Sequence, residues 1–185
     1  MLFAVIRADL VPRLAAESAD GGENRLEKIC GLMTDSRLSI HDLSRCQATR
    51  KGEIARLNMP FELGIDYGFR RSGHGQMHEK RFLVLDEQPY RLKQVISDIG
   101  GWDTVAHGDD AERAMKEVRN WLCQVAGMPL PGGDVLYGQS LIYDEWKYGK
   151  PDHARSAVDA YSPFETIKSM SRWHQLGGPK DPENR

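Results

Sequence analysis

Residues 82–85, Phe82-Leu83-Val84-Leu85, form an uninterrupted apolar run bounded by charge: Lys80-Arg81 before it and Asp86-Glu87 after it. A run this short and this apolar, without polar alternation, reads as a strand buried on both faces, the pattern of a central strand in a parallel sheet. Such a strand requires crossover helices to cover it, so the surrounding chain must alternate between strand and helix. It does. Residues 24–35 carry Leu26, Ile29, Cys30 and Met33 at helical spacing, with Asn24 placed as a cap. Residues 37–43 are a brief apolar run suited to a strand, residues 89–99 read as a helix, and residues 109–125 are strongly amphipathic through Ala111, Ala114, Met115, Val118, Leu122 and Val125. Residues 10–17 add a strand at an edge, where Pro12 is tolerated. The expected fold is α/β, a doubly wound parallel sheet.

At 185 residues the chain can form one domain with an appendage, and Pro129-Leu130-Pro131-Gly132-Gly133 marks the join. The expectation is an α/β domain over residues 1–128 and a helical extension with a tail over 129–185. Within the extension, residues 135–148, 154–161 and 163–173 read as helices, and the last dozen residues as a frayed tail. Tyr137, Tyr143, Trp146, Tyr148 and Trp173 are more aromatics than a tail needs, and are expected to cover the sheet or a partner subunit. Apolar residues at 40%, with no run approaching a membrane span, indicate a soluble protein, and the N-terminus lacks a secretory pattern. Cys30, Cys46 and Cys123 are odd in number and widely spaced, which fits a reducing cytoplasm and neither a disulfide framework nor a zinc site. A net charge of -2 gives no general attraction to nucleic acid.

Two motifs carry candidate chemistry. Residues 39–45, SIHDLSR, read as a strand ending in Asp42, and residues 58–64, NMPFELG, open a helix with Asn58 as cap, Pro60 in the first turn and Glu62 as a first-turn acid. Phe61, Ile65 and Phe69 form an apolar stripe beside Gly64 and Gly68, whose spacing would let the helix approach the sheet. In an open parallel sheet, ligands collect at the carboxyl ends of the strands, so Asp42 and Glu62 would share one rim. Two carboxylates on one rim are the minimum equipment for cleaving a glycosidic bond.

These segments, with residues 80–86 (KRFLVLD) and 89–91 (PYR), resemble a family of small bacterial proteins related to Toll/interleukin-1 receptor (TIR) domains and nucleoside 2-deoxyribosyltransferases. The resemblance runs over residues 24–122. It implies a flavodoxin-like sheet and an N-glycosidase acting on NAD or a related nucleotide, with no cofactor or metal. Glu62 would attack or stabilise C1 of the ribose, Asp42 would hold sugar hydroxyls, and Asn58 would orient Glu62 or bond a hydroxyl. Ser44 and Met59 would be further substrate contacts. Homo-oligomeric assembly is also implied. The first strand of such a sheet has no counterpart, because residues 2–8 read as the closing half of the first helix. The expected domain is therefore N-terminally truncated. That loss also admits a second function: a nucleotide-sensing or self-assembling module without turnover.

Each singled-out residue has an ordinary role as well. Glu62 can serve the helix dipole and Asp42 can cap a turn. His41 reads as a hydrogen-bonded interior histidine. The glycine-bearing stretch 70–81, with Arg70, Arg71, His74, His78, Lys80 and Arg81, reads as a solvated connection without metal-binding geometry.

Overall fold

The computed structural model describes residues 1–16, 20–48, 55, 57–73, 75–148 and 161–178. Among them, in chain order, are α1 (Leu2–Arg7), α2 (Arg25–Asp35), β1 (Leu38–Asp42), α3 (Asn58–Ser72), β2 (Arg81–Asp86), α4 (Arg91–Val95), β3 (Thr104–Ala106), α5 (Ala111–Ala126), α6 (Gly133–Tyr148) and α7 (Pro163–Gln175). Short 3-10 helices lie at Gly75–Glu79 and Ser97–Ile99. The chain packs as two units, Asp20–Ala114, and Met1–Ala19 with Met115–Arg185. No described helix is long and apolar enough to cross a membrane, and all three cysteines are free.

The Asp20–Ala114 unit is α/β. Its three strands are parallel in the order β1-β2-β3, with Ile40 opposite Leu83 and Val84 opposite Thr104. The apolar run of β2 occupies the middle, where Leu83, Val84 and Leu85 are buried. Right-handed crossovers taken twice in the same direction put both connecting segments on one face. Accordingly Leu63 of α3 and Leu92 of α4 share one core cluster with Leu43 and Val84. Helix α3 runs antiparallel to the strands: Met59 and Leu63 pack near Leu43, Asp66 bonds His41, and Arg70 lies over Phe82.

Several local expectations are corrected. Residues 10–16 form no strand, since Pro12 lacks a donor and the segment has no strand partner in the sheet. The inward face of α3 is offset from the aromatic stripe. Phe61 is 59% exposed, Gly64 and Gly68 face open space, and the buried positions are Leu63 and Asp66. A charged residue at a core position hides the true period from a hydrophobicity count. The helix begins at Asn58 with Leu57 as N-cap, so Asn58 does not cap it, and Glu62 lies in the second turn, not the first. The stretch 70–81 is no solvated connection throughout. Arg70 and Arg71 belong to the last turn of α3, where cations favour the helix dipole, and Lys80 is fully buried. The helix expected over 89–99 breaks at Ile96 into α4 and a 3-10 turn. Asn24 caps α2 as expected, accepting from the backbone N–H groups of Leu26 and Glu27.

The other unit is helical, and its aromatics form its own core. Phe3 of α1 packs on Tyr143 and Trp173, with centroids 6.0 and 5.6 Å apart, and Tyr143 also meets Trp146. Tyr143, Trp146 and Trp173 are buried and in ring contact with one another. The frayed tail expected over the last dozen residues is corrected for residues 174–178, where α7 runs to Gln175 and Gly178 donates its N–H to the Trp173 carbonyl. At φ +73° a Cβ there would sit 3.0 Å from the Trp173 ring, so glycine is required. Residues 179–185, and the helix expected over 154–161 apart from Tyr161, lie outside the described residues.

Burial raises the Asp144 carboxyl to about 6, against partial relief from Lys147. The folded chain thus holds a proton that the unfolded chain releases at a lower pH. Stability is lost as the pH rises from about 4 through 6. Asp144→Asn removes this penalty, and the difference in unfolding free energy between variant and wild type should grow from nothing near pH 4 to about 1 kcal/mol at pH 7, water on the open side screening the rest. Denaturant titrations at both pH values measure it.

Candidate functional site

All three strands deliver a titratable residue to the carboxyl rim of the sheet. Strand β1 ends in Asp42, β2 ends in Asp86, and His107 directly follows β3. Backbone bonds keep them level: Leu43 N–H donates to the Leu85 carbonyl and His107 N–H to the Asp86 carbonyl, each at 2.9 Å. This is the edge where open parallel sheets bind ligands.

Asp42 is the accessible member of the three. Its Oδ1 accepts the Ser44 backbone N–H at 3.0 Å and lies 3.4 Å from His107 Nε2. Burial alone would raise its pKa. The Ser44 hydroxyl and N–H, together with His107, outweigh that and hold it below the usual carboxylate range. Asp42 is therefore an ionised acceptor with a free oxygen edge, suited to hydroxyl groups. Asp86 is fully buried and its carboxylate is occupied: Arg91 grips it with Nε and Nη2, and Glu87 N–H donates to Oδ1 at 2.7 Å. Arg91 also donates to the Leu43 carbonyl at 2.8 Å, which ties the ends of β1 and β2 together. Arg91 Nη1 and His107 Nδ1 are buried without a partner among the described residues. Cys46, packed against the Leu43 cluster, has its thiol pushed up by burial and by Asp86 and Asp42, against the pull of Arg91. A thiol held protonated is a poor nucleophile.

Of the five residues expected from sequence, Asp42 and Ser44 meet directly, and Met59 packs in the cluster beside Leu43 and Cys46. Asn58 is exposed at the start of α3, and Glu62 is half-buried one turn further on, with no hydrogen-bond partner among the described residues. His107, Asp86 and Arg91 were missed. One signal was available: LSIHD and RFLVLD both end a strand on aspartate, which marks two positions on one rim. His74 lies outside the described residues, His78 is exposed, and among the described residues no cluster of three ligating side chains could hold a metal.

Behind the rim lies a second polar cluster, wholly interior. Asp66 Oδ2 is 3.0 Å from His41 Nε2 and its Oδ1 is 3.0 Å from Lys80 Nζ. The Lys80 ammonium donates to the carbonyls of Met33 and Ser36, at the C-terminal end of α2. Burial opposes the Asp66 charge, yet hydrogen bonds from His41, Ser39 and Lys80 and the Lys80 charge hold its pKa low. This cluster is sealed from any substrate and serves as architecture. Lys80→Met strands the Asp66 carboxylate and removes one hydrogen bond from each of the Met33 and Ser36 carbonyls, and should cost about 3–5 kcal/mol. Denaturant unfolding read by far-UV circular dichroism checks this. Lys80→Met combined with Asp66→Leu should recover part of the loss.

No known protein family, curated protein or solved structure matches the chain.

Proposed function

We propose that the Asp20–Ala114 unit is a TIR-like, nucleoside 2-deoxyribosyltransferase-like module of flavodoxin-like descent that cleaves the N-glycosidic bond of NAD or a related nucleotide. The observation carrying this reading is Asp42: an ionised, accessible carboxylate at the carboxyl end of a parallel strand, buttressed by Ser44 and His107. Asp42 holds ribose hydroxyls, aided by Ser44. Glu62, on the helix departing from the same rim, stabilises the cation at C1 or bonds to it as the C1–N bond breaks. The base leaves with the bonding electrons: nicotinamide departs neutral, because its ring nitrogen is cationic in NAD, whereas a nucleobase leaving as an anion takes a proton from water. Water then adds to the C1 cation, or hydrolyses the ester where Glu62 has bonded C1, and releases its proton to solvent, leaving Glu62 as a carboxylate. Met59 lines the apolar side and Asn58 orients Glu62 or a hydroxyl.

A second reading, nucleotide sensing or self-assembly without turnover, is favoured by one specific feature. Strands β1 and β2 pair directly, so no strand lies between them to carry a phosphate-binding loop. One experiment separates the two. Release of nicotinamide or free base is measured over NAD, nucleotides and deoxynucleosides. Glu62→Gln should lower turnover about a hundredfold or more, and Asp42→Asn should act mainly on KM. Full turnover by Glu62→Gln sinks the glycosidase. Nucleotide binding with no product selects the sensing module.

A further inference from the structure

The opposite rim of the same sheet carries a cleft of about 370 Å³, walled by Tyr67, Arg70, Arg71, Phe82, Trp102 and Asp103 and floored by Val84. Helix α3 runs antiparallel to the strands, so its last turn reaches the amino ends of β2 and β3, a strand's length from Asp42. The walls are aromatic. Phe82 and Trp102 lie nearly parallel, 17° between planes with centroids 6.4 Å apart, and Tyr67 meets Trp102 at 5.0 Å. The Arg70 guanidinium sits over the Phe82 ring, 5.5 Å from its centroid. Among the described residues neither Arg70 nor Arg71 has a carboxylate partner.

From this combination we infer a binding site for a flat aromatic monoanion, an aromatic carboxylate above all. Rings that stack on one another expose faces and edges to a further ring, which adds about 0.5–1.5 kcal/mol beyond its area. Arg70 and Arg71 give two positive charges against one from Asp103, so one anionic group on the ligand brings the cleft to neutrality. A guanidinium fork matches a carboxylate in bidentate geometry, and the stacking on Phe82 holds the Arg70 fork in place. The volume is at the small end for ligand pockets, which suits a bicyclic ring and excludes a dinucleotide. This site is independent of the glycosidase reading, since it needs neither a ribose nor Glu62.

The test is titration of the full chain with 2-naphthoate, 2-naphthyl phosphate and inorganic phosphate, followed by the indole N–H resonances of the four tryptophans, with Trp102→Phe identifying one of them. The expected result is a Kd of about 0.1–1 mM for 2-naphthoate and a shift concentrated on the Trp102 signal. Arg70→Gln with Arg71→Gln should weaken binding at least tenfold while the other three indole signals stay in place. Arg71→Gln alone, at an exposed position, should weaken it at least threefold should the pair fail to fold. Asp42→Asn and Glu62→Gln should bind as wild type does. Tighter binding of the naphthyl phosphate, mostly a dianion at neutral pH, overturns the assignment to a monoanion. Inorganic phosphate competing as well as the aromatic ligands, no binding by wild type, or loss in Asp42→Asn with retention in the arginine variants overturns the inference.

Discussion

The α/β unit depends on one buried ammonium. Lys80 sits at the entry to the central strand with no exposure, spends its donors on the carbonyls that close α2, and meets the Asp66 carboxylate of α3, which in turn holds His41 of β1. One network thus fixes a helix end, a helix face and two strands at once. Charges taken from water are costly unless paired and hydrogen-bonded, and here the Lys80 and Asp66 charges are paired, while His41 Nδ1 and Asp66 Oδ1 lack a hydrogen-bond partner among the described residues. The net gain in stability over an apolar core is small or negative. The gain in register is large, because sliding any of the four elements would strand a charge.

That geometry sorts the polar residues of the unit into three kinds. Asp66, His41 and Lys80 are sealed and structural. Asp86 and Arg91 are spent on closing the ends of β1 and β2. Asp42, with Ser44 and His107, is left accessible and ionised, and Glu62 stands on the helix above without a partner among the described residues. Sequential strand order also matters. With no reversal between neighbouring strands there is no divergence of loops to make a deep slot, so the carboxyl rim is an open shelf where accessible side chains decide what is held.

Much of the layout is legible in the chain. The apolar run of β2, the capped α2 and the stripe of α5 follow from periodicity and local chemistry alone. Where reading failed, the reason was a polar residue doing an apolar residue's job, or the reverse. Asp66 at a core position hides the true inward face of α3, so that an apolar count puts Phe61 inward although it is exposed. Lys80 lay within a basic stretch whose composition said solvent, although its role comes from carbonyls distant in sequence. Nothing local in the aromatic-rich C-terminal segment says that Phe3, near the other end of the chain, joins Tyr143 and Trp173 in one core. At the site, Asp42 and Ser44 were found because a strand end and an Asx turn are local features. His107 and Arg91 reach the rim through strand pairing, which a single sequence does not spell out.

The Lys80 cluster also constrains how such a chain can change over generations. Replacing Lys80, Asp66 or His41 alone leaves the others with an unmet charge or donor, so the energetic effects of the three positions are strongly non-additive. Routes between this charged interior and an apolar one pass through intermediates that fold poorly. Descendants of this chain should keep or lose the three residues together, and an isolated exchange at one of them would record a compensating change nearby.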